Sequence, residues 1–365
     1  MKILCVIDSL GSGGAQRQIV ELALGFHDYG HEVVFLTYSP ESFYSSYLKN
    51  AGISIIFIAG DSYIRRFLKM RYFIRKGRFN AVLSFLEASN FICELSGFPF
   101  KKWNLVVGER SSNPNIRKSL KLIVYRWFHL TADFVVANSH ANMQIVKFVN
   151  PLLSTSKCRI IYNIVDFNNW GPPVNYSPRK SGKLKLVIAA SHKRMKNLNG
   201  LITAISLLSP DEKSRLEVEW YGDKITAPYF DNSLTEAREI MRNFHLDDII
   251  SFYPATKDLN LKIRQADVVG LFSFYEGLPN AVCEGMACAK TVICSAVSDM
   301  TSILSYDKNL IFQPDNITSI QNTLKYIISL TNQQLISIGQ INEKIAKEKF
   351  DKDLIVNKYL DLLSV

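Results

Sequence analysis

Short apolar runs alternate with stretches of helical period almost from the first residue. Ile3–Ile7 reads as a strand, Gly14–Tyr29 as a helix and Glu32–Leu36 as a second strand. Ile53–Ile58, Ala81–Phe85, Asn104–Val107 and Phe134–Ala137 continue the strands, with helical segments between them. Near-continuous apolar strands alternating with helices predict a parallel sheet covered on both faces. Residues 170–178 (WGPPVNYSP) hold three prolines and a glycine and mark a linker. The alternation then restarts at Leu184–Ala190, with a helix over about Asn197–Leu208. Leu216–Tyr221, Ile249–Tyr253, Val268–Phe272, Val292–Cys294 and Leu310–Phe312 follow as strands, and the last fifty residues predict only helix. Two α/β domains result, and a pair of such domains facing a cleft is a common ligand site.

Composition narrows this little. The chain has 365 residues, 47% hydrophobic and 21% charged, an ordinary globular mixture. No apolar run reaches the ~18–20 residues a membrane span needs. The opening MKILCVIDSLGSGG is too short in apolar residues for a signal peptide and reads as a buried strand. Six scattered cysteines make no CxxC pair, which predicts buried free thiols in a reducing compartment.

Charge changes the picture more. The net charge is +10, yet residues 1–170 carry 20 Lys+Arg against 11 Asp+Glu, and residues 171–365 carry 23 against 22. The first half therefore faces an anionic partner. Within it, 61–78 (DSYIRRFLKMRYFIRKGR) has seven basic residues and one acidic. Ile64, Phe67, Leu68 and Ile74 lie roughly on one helical face, with Arg65, Arg66, Lys69 and Arg75 interleaved. Such a helix suits an anionic membrane surface, or is the solvated face of a cover helix. Residues 116–128 (IRKSLKLIVYRWF) repeat the character, which favours the membrane. No nucleic-acid-binding motif accompanies the charge.

Candidate chemistry collects at loops after strands. Gly11-Ser-Gly13-Gly14-Ala15-Gln16 joins the first strand to the first helix, as a phosphate-approaching turn or a plain glycine turn. Gln16 replaces the third glycine of a dinucleotide fingerprint, and the second strand lacks its terminal acid. Ser191-His-Lys-Arg194-Met-Lys196-Asn197 places three cations where they could neutralise a diphosphate, or merely face solvent. In SFYEGLPNAVCEGMA, Gly277, Leu278 and Asn280 offer backbone N–H groups to an anion, and Pro279 has none. Glu284 falls one turn into the following helix, where it accepts sugar hydroxyls or only complements the helix dipole. Asp351-Lys-Asp353 falls in the helical tail, the wrong setting for a metal-holding pair of acids.

Together these residues resemble the retaining glycosyltransferases of family 4, with the GT-B fold. The E-x7-E signature is met by Glu276 and Glu284. GGAQRQIVELA, ADFVVANSHANMQIVK, IYNIVDFNNW and KRMKNLNGLITAI also match, in the family's order. The resemblance implies two Rossmann-like domains across a cleft: residues 1–170 for acceptor and membrane, 171–345 for the nucleotide sugar. Residues 346–365 would return as a helix onto the first domain.

It also implies roles. Glu284 would hold the ribose hydroxyls. Glu276, Gly277, Leu278 and Asn280 would orient the donor, and Arg194 and Lys196 would stabilise the departing diphosphate. Gly13 and Gly14 would line the cleft near the donor phosphates and the acceptor. No metal or other cofactor is expected. There are departures: Ile164 replaces a usual glycine, Ala289-Lys290-Thr291 replaces G-x-P, and the basic loop is shorter than usual. The segment Gly108-Glu-Arg110-Ser-Ser-Asn-Pro114 is similar to the branch that handles N-acetylhexosamines in polyprenol-linked assembly, placing Arg110 on the acceptor side.

The implied enzyme transfers a hexose or N-acetylhexosamine from a UDP-sugar to a polyprenyl-diphosphate-linked glycan, as in O-antigen, lipopolysaccharide or capsule biosynthesis. It would be cytoplasmic and peripheral on the inner face of the cytoplasmic membrane, held through Arg65, Arg66 and Lys69. The alternatives are a sugar-nucleotide-binding protein that lost the chemistry, or a GT-B-fold epimerase.

Overall fold

The apolar runs assemble into two separate sheets, each parallel throughout. The computed structural model describes residues 1–60, 62–223 and 231–365. Asp61, the single acid of the basic stretch 61–78, lies outside the described residues. The chain divides into one unit of Met1–Ile164 with Lys352–Val365, and a second of Val165–Asp351.

The first unit contains β1 (Lys2–Val6), β2 (Glu32–Thr37), β3 (Ser54–Phe57) and β4 (Ala81–Phe85). It continues with β5 (Asn104–Glu109), β6 (Phe134–Ala137) and β7 (Cys158–Ile160). Across the sheet the order is β3-β2-β1-β4-β5-β6-β7. Alternate side chains enter opposite cores: Ile3 and Cys5 join one buried cluster, Leu4 and Val6 the other. Both faces are thus covered, which is why the strands read as unbroken apolar runs. The last helix, Lys352–Leu363, packs into this unit by burying Ile355, Val356, Tyr359, Leu362 and Leu363 beside β1 and β4.

The second unit contains β8 (Leu184–Ala189), β9 (Leu216–Tyr221), β10 (Ile250–Tyr253), β11 (Val268–Leu271), β12 (Thr291–Ser295) and β13 (Ile311–Phe312). Their order is β10-β9-β8-β11-β12-β13. The winding direction reverses between β8 and β11, and ligands of open α/β sheets bind outside the carboxyl ends of strands at such a point. In the first unit the corresponding reversal lies between β1 and β4. Among the described residues no helix is long and apolar enough to cross a membrane.

One helix departs from its expected facing. In Tyr63–Lys76, Met70 and Ile74 are buried and Phe67 is half-buried, whereas Ile64, Leu68 and Tyr72 are exposed. The two apolar sets lie roughly 130° apart at 100° per residue, so the helix has an inner stripe and a separate outer one.

Candidate active site

The loops that leave β8 and β11 at the reversal are the two marked by charge in the sequence. They are joined directly. Phe274 N–H donates to the Met195 carbonyl at 2.9 Å, and the Lys196 ammonium pairs with Glu276 Oε1. Both charged side chains are mostly sheltered, 18% and 16% exposed. Ser273 Oγ donates to the same carboxylate oxygen at 2.7 Å, and Ser295 Oγ holds the Ser273 carbonyl at 2.7 Å. Ser298 Oγ donates to the Gly277 carbonyl. Hydroxyls from β12 and the loop beyond it therefore fix the glutamate loop from behind. Single serines in apolar runs gave no sequence signal of this.

The helix Asn280–Ala287 begins after Pro279 with no side-chain cap hydrogen bond. Its first-turn N–H groups are the positive end of the helix dipole. Glu284, one turn in, is 3% exposed, while Gly277 and Leu278 are buried and Asn280 is half-buried. Gly285 lets this helix lie close on the sheet, because a Cβ there would come within 2.9 Å of Val269. A carboxylate, an ammonium and a helix N-terminus are thus gathered around one strand end.

Arg194 is placed elsewhere. Its guanidinium donates to Glu236 Oε1 at 2.6 Å and the side chain is 67% exposed. Its backbone N–H donates to Asp231 Oδ2 at 2.7 Å. Burial opposes ionisation of Asp231, but hydrogen bonds from Arg194 and Ser233 hold its carboxyl below the usual range. Asn199 takes the other Glu236 oxygen at 2.8 Å. His192 is buried with its ring edge-on to Phe252, 5.4 Å between centroids. The basic loop thus contributes Lys196 to the Glu276 cluster, while Arg194 ties its start to the helix Ser233–Asn243.

In the first unit, Gly13 caps the helix Gly14–Asp28 at the carboxyl end of β1. Gln16, at the missing third glycine, donates to Asp8 Oδ1 at 3.0 Å, and burial raises the Asp8 carboxyl. Arg110 lies over the Phe85 ring at 3.8 Å and donates to Asn163 Oδ1 at 2.9 Å and the Tyr359 hydroxyl at 2.6 Å. It thereby anchors the returning C-terminal helix. Of the basic-helix residues, Arg65 and Lys69 are exposed. Arg66 instead sits between the rings of Tyr38 and Tyr63, at 4.8 and 4.6 Å.

Known proteins share both halves. Residues 12–169 match the family described as Glycosyltransferase Family 4, and residues 175–343 match Glycosyl transferases group 1. A Campylobacter jejuni protein is 22% identical over 99% of both chains. It is N-acetylgalactosamine-N,N'-diacetylbacillosaminyl-diphospho-undecaprenol 4-alpha-N-acetylgalactosaminyltransferase. The structure of Anabaena HepE with UDP and glucose superposes with a TM-score of 0.86 at 17% identity, over 100% of this chain and 99% of that one. A glycosyltransferase from Rickettsia africae gives 0.82 at 19% identity, over 99% and 97%. At such identities these structures establish the shared GT-B fold.

Proposed function

We propose that this chain, which belongs to glycosyltransferase family 4, transfers a hexose or N-acetylhexosamine from a UDP-sugar to a polyprenyl-diphosphate-linked glycan. The configuration at the transferred carbon is retained, and the product enters a surface polysaccharide of the O-antigen or capsule type. The observation that carries this reading is the Lys196–Glu276 pair beside the uncapped helix Asn280–Ala287 with Glu284 buried one turn in. Support for the acceptor class comes from the Campylobacter relative, whose name specifies a diphospho-undecaprenol substrate. Support for UDP comes from HepE, which was solved with it.

Breaking a nucleotide–sugar bond leaves negative charge on the diphosphate. A preorganised cation and helix N-terminus stabilise that charge where water would have to reorganise. Lys196 and the first-turn amides of Asn280–Ala287 take this part. Glu276 orients Lys196 and the donor sugar, and Glu284 accepts the two ribose hydroxyls. Neither glutamate is assigned as nucleophile: the acceptor attacks the face the diphosphate leaves, without a covalent intermediate. The reaction uses no metal.

The enzyme works on the inner face of the cytoplasmic membrane, docked through the outer stripe Ile64, Leu68 and Tyr72 with Arg65 and Lys69 beside it. The test is a screen of nucleotide sugars with polyprenyl-diphosphate-linked acceptors, followed by Lys196→Ala and Glu284→Ala on the active donor. Turnover that survives both substitutions would overturn the site.

A further inference from the structure

The loop between the helix Glu87–Gly97 and β5 carries side chains that the transfer chemistry does not use. Phe98 and Phe100 in it are 63% and 80% exposed. Single exposed apolar residues are ordinary on a protein surface, but this loop is held rigidly from behind. Arg71 donates to the carbonyl oxygens of Leu95, Ser96 and Phe98 at 2.6, 2.9 and 2.7 Å. Arg75 donates to those of Ser96 and Phe100 at 3.0 and 3.1 Å. Charge-assisted bonds of this kind are the strong ones; three of the five hold the end of the helix Glu87–Gly97, and two hold the loop itself at Phe98 and Phe100.

The placement of these bonds is informative. Backbone carbonyls can enter an apolar medium only when they are already hydrogen-bonded. Arg71 and Arg75 satisfy four of them around the two phenylalanines, and Pro99 has no N–H to satisfy. Both rings are left facing outward, each on a residue whose own carbonyl is already hydrogen-bonded. Arg71 and Arg75 also border the outer stripe Ile64, Leu68 and Tyr72, so the loop is held beside the C-terminal half of the helix that carries that stripe.

Charge selects the partner. Lys101 is engaged by Asp133 at 2.9 Å, but exposed Lys102 has no hydrogen-bond partner among the described residues. Beside it is a recess of about 610 Å³ lined by Lys101, Lys102, Asn104, Asp133, Lys157 and Val365. Protein interfaces exclude lysine from their cores, whereas aromatic rings beside lysine and arginine suit an anionic lipid surface.

We propose that the Phe98–Lys102 loop is a preformed membrane wedge, its two phenylalanine rings entering the acyl boundary of an anionic bilayer while Lys102 meets a lipid phosphate. The inference rests on the reading of the chain as a membrane-peripheral transferase and adds a second, independently testable contact.

The full chain, with half-buried Cys158 replaced by serine, is labelled with an environment-sensitive fluorophore at Phe100→Cys or at Ile64→Cys. Each sample is mixed with phosphatidylcholine vesicles, with and without phosphatidylglycerol, carrying a quencher in the acyl region. Quenching of both labels on the phosphatidylglycerol vesicles is expected. A quenched Ile64 label with an unquenched Phe100 label would overturn the wedge and leave the membrane reading intact; two unquenched labels would overturn both. Phe98→Ser with Phe100→Ser is expected to weaken vesicle partitioning on the order of tenfold or more, with the thermal unfolding curve unmoved. Unchanged partitioning refutes the wedge. Lys102→Glu is expected to weaken binding only where phosphatidylglycerol is present, and an equal loss on phosphatidylcholine alone removes the selection of an anionic surface by Lys102.

Discussion

Lys290 holds its ammonium 3.1 Å from the centroid of the Tyr176 ring. The lysine is fully buried, and its Nζ has no hydrogen-bond partner among the described residues. Burial pushes its pKa down to about 7, against the weaker upward pull of Cys288 and Asp267. Cation–π attraction returns about 2 kcal/mol at a desolvated site, less than the several kcal/mol that an otherwise uncompensated buried ion costs. The unfolded lysine binds a proton up to about pH 10.5 while the folded one releases it near 7. This group therefore contributes stability that rises as pH increases through that window. Lys290→Met is expected to stabilise the chain by about 1–3 kcal/mol at pH 6 and to have almost no effect at pH 10.5. Urea unfolding at the two pH values checks it, and a variant weaker than the parent at pH 6 contradicts it.

The neighbouring residue is strained. Ala289 has φ +54°, in the left-handed region where a side chain costs roughly 1 kcal/mol. Family relatives expected from sequence carry glycine there. Ala289→Gly relieves the strain but enlarges the unfolded ensemble, for a net gain of about 0.5 kcal/mol in urea unfolding. Gly339 is the opposite case: a Cβ on it would lie 2.1 Å from the Ala289 carbonyl oxygen. Gly339→Ala is expected to lose about 2 kcal/mol or more, because backbone rather than a flexible side chain blocks it. Equal melting temperatures for the two variants would contradict this account.

These cases mark where the sequence was readable. Strands buried on both faces declare themselves as apolar runs, so Ala81–Phe85 and Phe134–Ala137 have the expected bounds. β7 is only three residues long and none is fully buried, so no run marks it. The helix Tyr63–Lys76 was legible as basic and amphipathic, but periodicity could not separate an inner stripe at Met70 and Ile74 from an outer one at Ile64 and Leu68. Lys196 and Glu276 each stood in a recognisable loop. Their contact depends on β8 and β11 being neighbours at the winding reversal. The shortened basic loop already set Arg194 below Lys196 in sequence, but its partner Glu236, 42 residues away, could not be read there.

The first unit should lose stability at alkaline pH. His129 is buried 2.6 Å from Glu94 and 3.0 Å from Glu109, and Arg126 lies 2.6 Å from Glu109. Burial disfavours the imidazolium, but Glu94 first, and then Glu109, outweigh it and raise His129 to about 9. Burial likewise opposes ionisation of Glu109, yet Arg126 and His129 lower it to about 2. A raised histidine contributes fully below its unfolded value of 6.5, and the contribution disappears as pH rises through 9. A lowered glutamate contributes above about 4.5 and loses its contribution as pH falls towards 2. The histidine contribution is on the order of 3 kcal/mol. His129→Gln is expected to be less stable at pH 6 and to show a flatter decline between pH 6.5 and 9. Following a signal from the first unit, such as amide exchange in β5, separates this from the opposing Lys290 effect in the second.

The Lys196–Glu276 pair makes the sharpest demand on the proposed chemistry. If Lys196 stabilises the departing diphosphate, its loss removes an interaction made mainly in the transition state. The reduction should appear in kcat more than in KM. Removing one preorganised electrostatic donor from a sheltered site typically costs 10²–10³ in rate, about 3–4 kcal/mol. Lys196→Ala is therefore expected to fall in that range. Lys196→Arg should recover part of the rate, because charge is kept while the Glu276 geometry changes. Glu276→Gln removes the partner but leaves the ammonium, and the two substitutions should combine less than additively because they act on one unit. Glu284→Ala differs: it should raise the Kd for the nucleotide alone, measured by calorimetry, by about tenfold or more. An intact kcat in Lys196→Ala, or additive losses in the double variant, would place the departing charge on some other group.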